Sequence, residues 1–432
     1  MKNKILFFII LNLLNNIYSI GNIPDNSPIR KKNASLLNNE ANDLKEVSII
    51  DSHILVPFKV IFKIFKDERN IEYIFSNKLS IFDDEEKIDL SIGTYRIIKS
   101  INDNSIKEIR VYLNSFDNSI FTSLKPSLNG NYTYLNLYLF NKKEPLQGNI
   151  KIPLKIDELL YRNFNDIVEL TKYQVNWDMI LNINSEKFVS NYKMATQIHK
   201  KIKDIPYNKY GFTDKNCNIV NAMSHKQDEN TKGLSDIGMI KYVLDGIYLG
   251  YKDNICIDYN EFINTYNNII EQQDMNAIDY TGDTKDILSK DYFNIAKSLA
   301  FELQRTHETF DINLNYDSFN VKKVPYFNYY NKLGFKTKDI KQILYTKTYQ
   351  KPDNIYIGTF KKAWDKNPSI YQSHKIVLII PWFDKDKIFR VLAFDGKNEY
   401  DIDMLLNQNP NQFINILSLD TYNNFKLPEL HF

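Results

Sequence analysis

Only two cysteines, Cys217 and Cys256, occur among 432 residues. No Cys-x-x-Cys pair is therefore available, and no His-x-x-x-His or Asp-x-Asp-x-Asp-Gly arrangement takes its place, so no dedicated metal site is expected. A Gly-rich phosphate loop and a Gly-x-Ser-x-Gly elbow are also missing, and no cofactor is implied. Charge of one sign is not in excess. The 55 basic and 53 acidic residues leave a net +2, too weak a field to hold nucleic acid or an anionic membrane. Beyond the first residues no apolar run reaches transmembrane length, so no integral span is expected in the mature chain.

What is present starts with a leader. Lys2 and Lys4 precede the run ILFFIILNLL, and Ile17-Tyr18-Ser19 offers a cleavage site. This is the layout of a secretory signal peptide over residues 1–19, implying a secreted or periplasmic, cell-envelope location. No cysteine follows the run, which argues against a lipid-anchored start. Residues 20–47 are polar, with Pro24, Pro28 and Arg30-Lys31-Lys32, and read as a disordered tether. The 29 tyrosines and 27 phenylalanines suit carbohydrate binding or the codon bias of an AT-rich genome.

From 48 to 156 short alternating runs predict a β-rich binding or spacer domain, a sandwich or small barrel. In one of them Tyr132, Tyr134, Asn136 and Tyr138 fall on one face and Thr133, Leu135, Leu137 and Leu139 on the other. The period changes at Asp157. Leu159, Leu160, Phe164, Ile167, Val168 and Leu170 form a helical stripe, more helices follow, and NIYIGTF, SHKIVLIIPWF and KIFRVLAFD return to strands. Helices first and strands afterwards predict an α+β domain over 157–432, with an insertion at about 258–349.

Several short pieces of this second half recur in a set order. Pro206, Tyr207 and Gly211 precede Gly233, Leu234, Gly238, Ile240, Tyr242 and Val243; Pro352 with Asp353 or Asn354 follows; Ser373, His374, Ile376 and Ile379 come last. In that order they resemble the NlpC-type cell-wall peptidases, papain-like cysteine enzymes that cut peptidoglycan stem peptides. The family has a Pro-Tyr-x-x-Gly-Gly loop, an Asp-Cys-Ser-Gly helix start, a Pro-Gly-Asp-Leu strand and a His-Val-Gly-Ile strand. The resemblance implies a papain-like fold whose partner is peptidoglycan or a cell-envelope protein.

Two registers follow. In one, Ser235 stands where the family has Asp and Asp236 where it has the nucleophilic Cys; a carboxylate cannot replace a thiolate in this acyl transfer, so the fold would serve binding, with Asp236 capping its helix. In the other, Asn216-Cys217 is the helix start, Cys217 the thiolate, His374 its general base and Asp395 or a carbonyl the group orienting the imidazole. A disulfide between Cys217 and Cys256 is the competing use of both sulfurs in an exported protein. Three functions therefore stand: a degenerate peptidase fold used for binding at the envelope, an active cysteine peptidase or amidase, and an unrelated disulfide-bonded surface protein. The other histidines read as structural: His53 opens a strand, His199 lies in a Lys-rich helix, His225 in a polar spacer, and His307 at a helix end.

Overall fold

In the first half, alternation of apolar and polar residues over six to eleven positions builds strands, and turn residues between them fold the strands back on one another. The computed structural model describes residues 23–38, 47–79, 88–222, 224, 226–227, 232–250, 256–271, 292–304, 318–364, 367–396, 398–421 and 425–430. The leader, His225 and His307 lie outside them. The chain divides into two units, Met1–Ile183 and Asn184–Phe432.

The first unit opens with two short helices, α1 (Ser27–Lys32) and α2 (Ala34–Asn38). Eight strands follow: β1 (Val47–His53), β2 (Val56–Lys66), β3 (Asn70–Lys78), β4 (Tyr95–Ser100), β5 (Ile106–Tyr112), β6 (Phe121–Pro126), β7 (Thr133–Tyr138) and β8 (Gln147–Ile152). They pair in sequence order as one antiparallel meander, so of the expected sandwich or small barrel the two-sheet sandwich is replaced by a single sheet. Helices α3 (Ile156–Leu159), α4 (Phe164–Thr171) and α5 (Asp178–Leu181) complete the unit. Phe62, Phe75, Tyr95, Ile97, Val111, Leu124, Leu135 and Leu137 form much of its buried interior.

Two expectations are corrected here. Residues 23–38 are not a loose tether but part of the unit. Arg30 is fully buried, with its guanidinium 3.6 Å from the centroid of the Tyr95 ring. Its Nε donates to Asn26 Oδ1 at 2.7 Å and its other nitrogens to the carbonyls of Leu160 and Arg162. Asn26 in turn donates to Asn77 Oδ1 at 2.7 Å and to the carbonyls of Phe75 and Gly93. A polar composition reads as disorder only while its partners are unknown. Folded, each polar group meets a distant acceptor and the cost of burying it is met. The second correction moves the boundary from 156 to 183. The helical stripe from Leu159 breaks at Asn163, whose side chain caps α4 by accepting from Asn165 N–H, and Phe164 and Trp177 pack edge to face in the first unit.

The second unit contains α6 (Val189–Ile202), a hairpin of β9 (Gly211–Thr213) and β10 (Ile219–Asn221), then α7 (Asp236–Tyr248), α8 (Tyr259–Glu271), α9 (Tyr292–Gln304), β11 (Phe335–Lys336) and α10 (Ile340–Gln350). β12 (Asn354–Trp364), β13 (Asn367–Phe383), β14 (Phe389–Phe394), β15 (Glu399–Asp401), α11 (Ile402–Gln408) and β16 (Phe413–Asp420) follow. The antiparallel sheet has the order β11-β16-β12-β13-β14-β15. Helix α7 is buried from Ile237 to Tyr248, and apolar side chains make up most of its circumference. Ile240, Val243, Leu244 and Ile247 share one core with Ile376, Leu378 and Ile380 of β13. Phe262, Ile295 and Leu299 belong to the same core, so α8 and α9, which fall in the stretch expected as an insertion, pack into it. The two units together make the molecule mixed α and β.

Candidate functional site

Helix α7 is capped one residue earlier than expected: its N-cap is Ser235, and Asp236, expected to cap it, is the first helical residue. Ser235 is extended, its Oγ accepts from Gly238 N–H at 3.0 Å and donates to the Gly211 carbonyl at 3.0 Å. The segments expected to form the Pro-Tyr loop and the helix start do meet. Leu234 N–H donates to Pro206 O at 2.9 Å and Asn208 N–H to Leu234 O at 3.0 Å, a parallel bridge between Tyr207 and Leu234. Glycine is demanded at the crossing. A Cβ on Gly211 would lie 2.0 Å from the Gly233 carbonyl oxygen, and one on Gly233, at φ +104°, 2.0 Å from that of Pro206. Gly396, after β14, leans on the helix tip in the same way, 2.4 Å from Asp236 N for a built Cβ.

Around this tip stand Tyr207, Asp236 and Asp395. Tyr207 is 41% exposed; partial burial and then the nearby carboxylates of Asp236 and Asp395 raise its phenol pKa, while Lys209 opposes them. Asp395 Oδ2 accepts from Tyr400 OH at 3.0 Å and pairs with Lys375 Nζ at 3.1 Å; Oδ1 accepts from Asn398 N–H at 2.7 Å. Lys375 Nζ also sits 4.1 Å from the Tyr400 ring centroid. Asp395 therefore holds an ammonium and a tight turn.

His374 is elsewhere engaged. Its Nε2 meets Gln412 Oε1 at 2.7 Å and its ring lies 6.5 Å from that of Phe360. It occupies an irregularity of β13, where Lys361 pairs with Ser373 and Phe360 with Lys375, leaving His374 as the extra residue. Burial lowers its pKa, the Gln412 bond opposes this, and Lys362 and Lys375 lower it further. The residues β13 turns toward α7 are Ile376, Leu378 and Ile380.

Cys217 is not at a helix start. It lies in the turn of the β9–β10 hairpin at φ +62°, its N–H bonded to Asp214 O at 3.0 Å, and Asp214 Oδ1 collects the N–H groups of Asn216 and Asn218. Its sulfur is bonded to that of Cys256, with the Cα atoms 5.5 Å apart. In this state no thiolate is available: Cys217 is bonded to Cys256, His374 meets Gln412, and Gly396 stands against Asp236. Among the described residues no group of three or more His, Cys, Asp or Glu side chains could hold a metal, and no helix is long and apolar enough to cross a membrane.

Sequence reasoning missed a buried ion pair behind this tip. Lys241 and Asp245, one turn apart on α7, are both fully buried. Lys241 Nζ donates to Asp245 Oδ1 and Oδ2 at 2.9 and 2.7 Å and to Thr213 Oγ1 at 3.0 Å. Asp245 also accepts from Thr213 at 2.6 Å and from Ile257 N–H at 2.9 Å. Burial pushes the carboxyl up and the ammonium down, and their mutual attraction opposes both. The signal available beforehand was the i,i+4 spacing of opposite charges inside an otherwise apolar helix. This pair fastens α7 to the β9–β10 hairpin and to the residue after Cys256, the same two segments the disulfide joins.

No curated protein and no solved structure matches the chain. Residues 20–179, nearly the whole of the first unit, match a family model described as a domain of unknown function (DUF8515).

Proposed function

We propose that the protein is exported and acts at the cell envelope as a binding protein, its second unit an NlpC-like domain that no longer hydrolyses peptides. The observation that carries this reading is the use of both sulfurs in the Cys217–Cys256 bond while the α7 tip presents Ser235 and Asp236. A disulfide suits an oxidising, extracytoplasmic compartment. Further support comes from the interlocked Pro206–Gly211 and Gly233–Gly238 segments. They keep the tip of a buried helix against a loop that a peptide could reach through half-exposed Tyr207.

The active-peptidase reading requires Cys217 reduced and next to His374; the bond to Cys256 and the His374–Gln412 contact weigh against it. The test is incubation of the full chain with purified peptidoglycan sacculi. Retention of the protein on the sacculi, no release of stem-peptide fragments, and identical retention by Cys217→Ser are expected. Fragment release abolished by Cys217→Ser would overturn the proposal, and so would absence of retention.

A further inference from the structure

One face of the first unit's sheet carries a row of partly exposed tyrosines. On β7 and at the residue after it, the inward Leu135, Leu137 and Leu139 are fully buried, so the core is filled on that side. On the opposite side Tyr132, Tyr134 and Tyr138 are half-exposed in a row. Tyr134 and Tyr138, four residues apart, are about 13 Å apart along an extended strand, the span of two to three pyranose rings.

The neighbours of this row are specific. Tyr134 lies directly between Lys125 of β6 and Lys151 of β8, both exposed. Lys151 Nζ stands 4.2 Å from the Tyr132 ring centroid, and the hydroxyls of Tyr132 and Tyr134 are 3.0 Å apart. Tyr138 stacks on Phe121, with ring centroids 5.1 Å apart and planes at 14°. The other charges nearby, Glu108 and Arg110, pair with each other at 2.9 Å. Lys125 and Lys151 therefore set the sign of the field over the tyrosines.

We propose that the outer face of β6–β8 binds an acidic polysaccharide, with Tyr132, Tyr134 and Tyr138 as platforms for sugar rings and Lys125 and Lys151 as partners for carboxylates. The CH face of a pyranose is apolar and slightly electropositive, so it packs on the electron-rich face of an aromatic ring. Phenolic hydroxyls beside those rings reach sugar hydroxyls, and the two ammonium groups match carboxylates by sign. Rigid tyrosines lose little entropy on binding, which favours them at such surfaces. This inference concerns the first unit and is independent of the reading of the second.

The experiment titrates the full chain with polygalacturonate and hyaluronan oligosaccharides by calorimetry, with dextran as a neutral glycan and polyglutamate as a non-sugar polyanion. Saturable binding to at least one acidic oligosaccharide is expected, stronger than to dextran or polyglutamate. Tyr134→Ala should weaken it about tenfold, equivalent to about 1.4 kcal/mol, whereas Tyr134→Phe should stay close to wild type. Lys125→Gln with Lys151→Gln should weaken the acidic ligand and remove its salt dependence. Circular dichroism and the melting temperature report whether each variant is folded. Equal affinity for polyglutamate, no binding to either acidic glycan, or unchanged binding by folded Tyr134→Ala would overturn the proposal.

Discussion

Replacing both cysteines, Cys217→Ser with Cys256→Ser, perturbs a single closed loop of sequence separation 39. Removing that link restores loop entropy to the unfolded chain, and for this length the chain-entropy relation gives about 4 kcal/mol. For a unit of this size 1 kcal/mol moves the melting temperature by about 2–4 °C, so a fall of roughly 8–16 °C is expected. The native side of the balance changes little. Cys256 N–H still meets Lys215 O at 2.9 Å and Ile257 N–H still meets Asp245, so the segment keeps its place without the covalent link. The assay is thermal unfolding followed by near-ultraviolet circular dichroism, with the wild type measured in the presence and absence of a phosphine reductant. The reduced wild type should melt with the double variant. Thiol titration of the denatured, unreduced protein should find no free thiol. Two titratable thiols, or a melting shift under about 2 °C, would refute the reasoning and make Cys217 a candidate nucleophile again.

Two further outcomes follow from buried or partly buried titratable groups. Lys241→Met should cost about 3–5 kcal/mol because it strands Asp245 in the core, whereas adding Asp245→Leu should recover part of this, leaving about 1–3 kcal/mol for the Ile257 N–H without its acceptor; urea denaturation of both checks it, and a double variant less stable than the single one refutes it. His374 has a folded pKa below its unfolded value of about 6.5, so the unfolded chain binds the proton more readily and the contribution to stability is present above that pH and lost as pH falls through the folded pKa. Wild type should therefore lose stability relative to His374→Gln between about pH 7 and pH 5, and parallel unfolding curves for the two across that range would contradict it.

Much of the local structure was legible. Strict alternation in the run holding Tyr132 to Leu139 did separate the faces of β7, and the apolar run after Asp236 did mark α7, although Ser235 and not Asp236 caps it. The pieces quoted for the peptidase resemblance, Pro206 to Gly211 and Gly233 to Gly238, do lie against each other. What was not legible depends on pairs far apart in sequence. Arg30 reads as one residue of a basic triplet until Leu160, Arg162 and Tyr95 surround it. His374 reads as the head of an apolar strand, yet the strand irregularity there gives it Gln412 as a partner. Periodicity reports which way a side chain points only while the ladder is regular, and an extra residue resets it.

The amino-acid order alone determined the short elements, the apolar run of α7, and a choice between two uses for a pair of sulfurs. These are local matters: backbone preference, repeat period and the chemistry of single side chains. Tertiary structure alone decided that choice, by bringing Cys256 to the β9–β10 turn, and alone placed Gly396 on Asp236 and Lys241 beside Thr213. Contacts of that kind are set by how whole helices and sheets pack to bury apolar surface, and no local stretch of sequence encodes them separately.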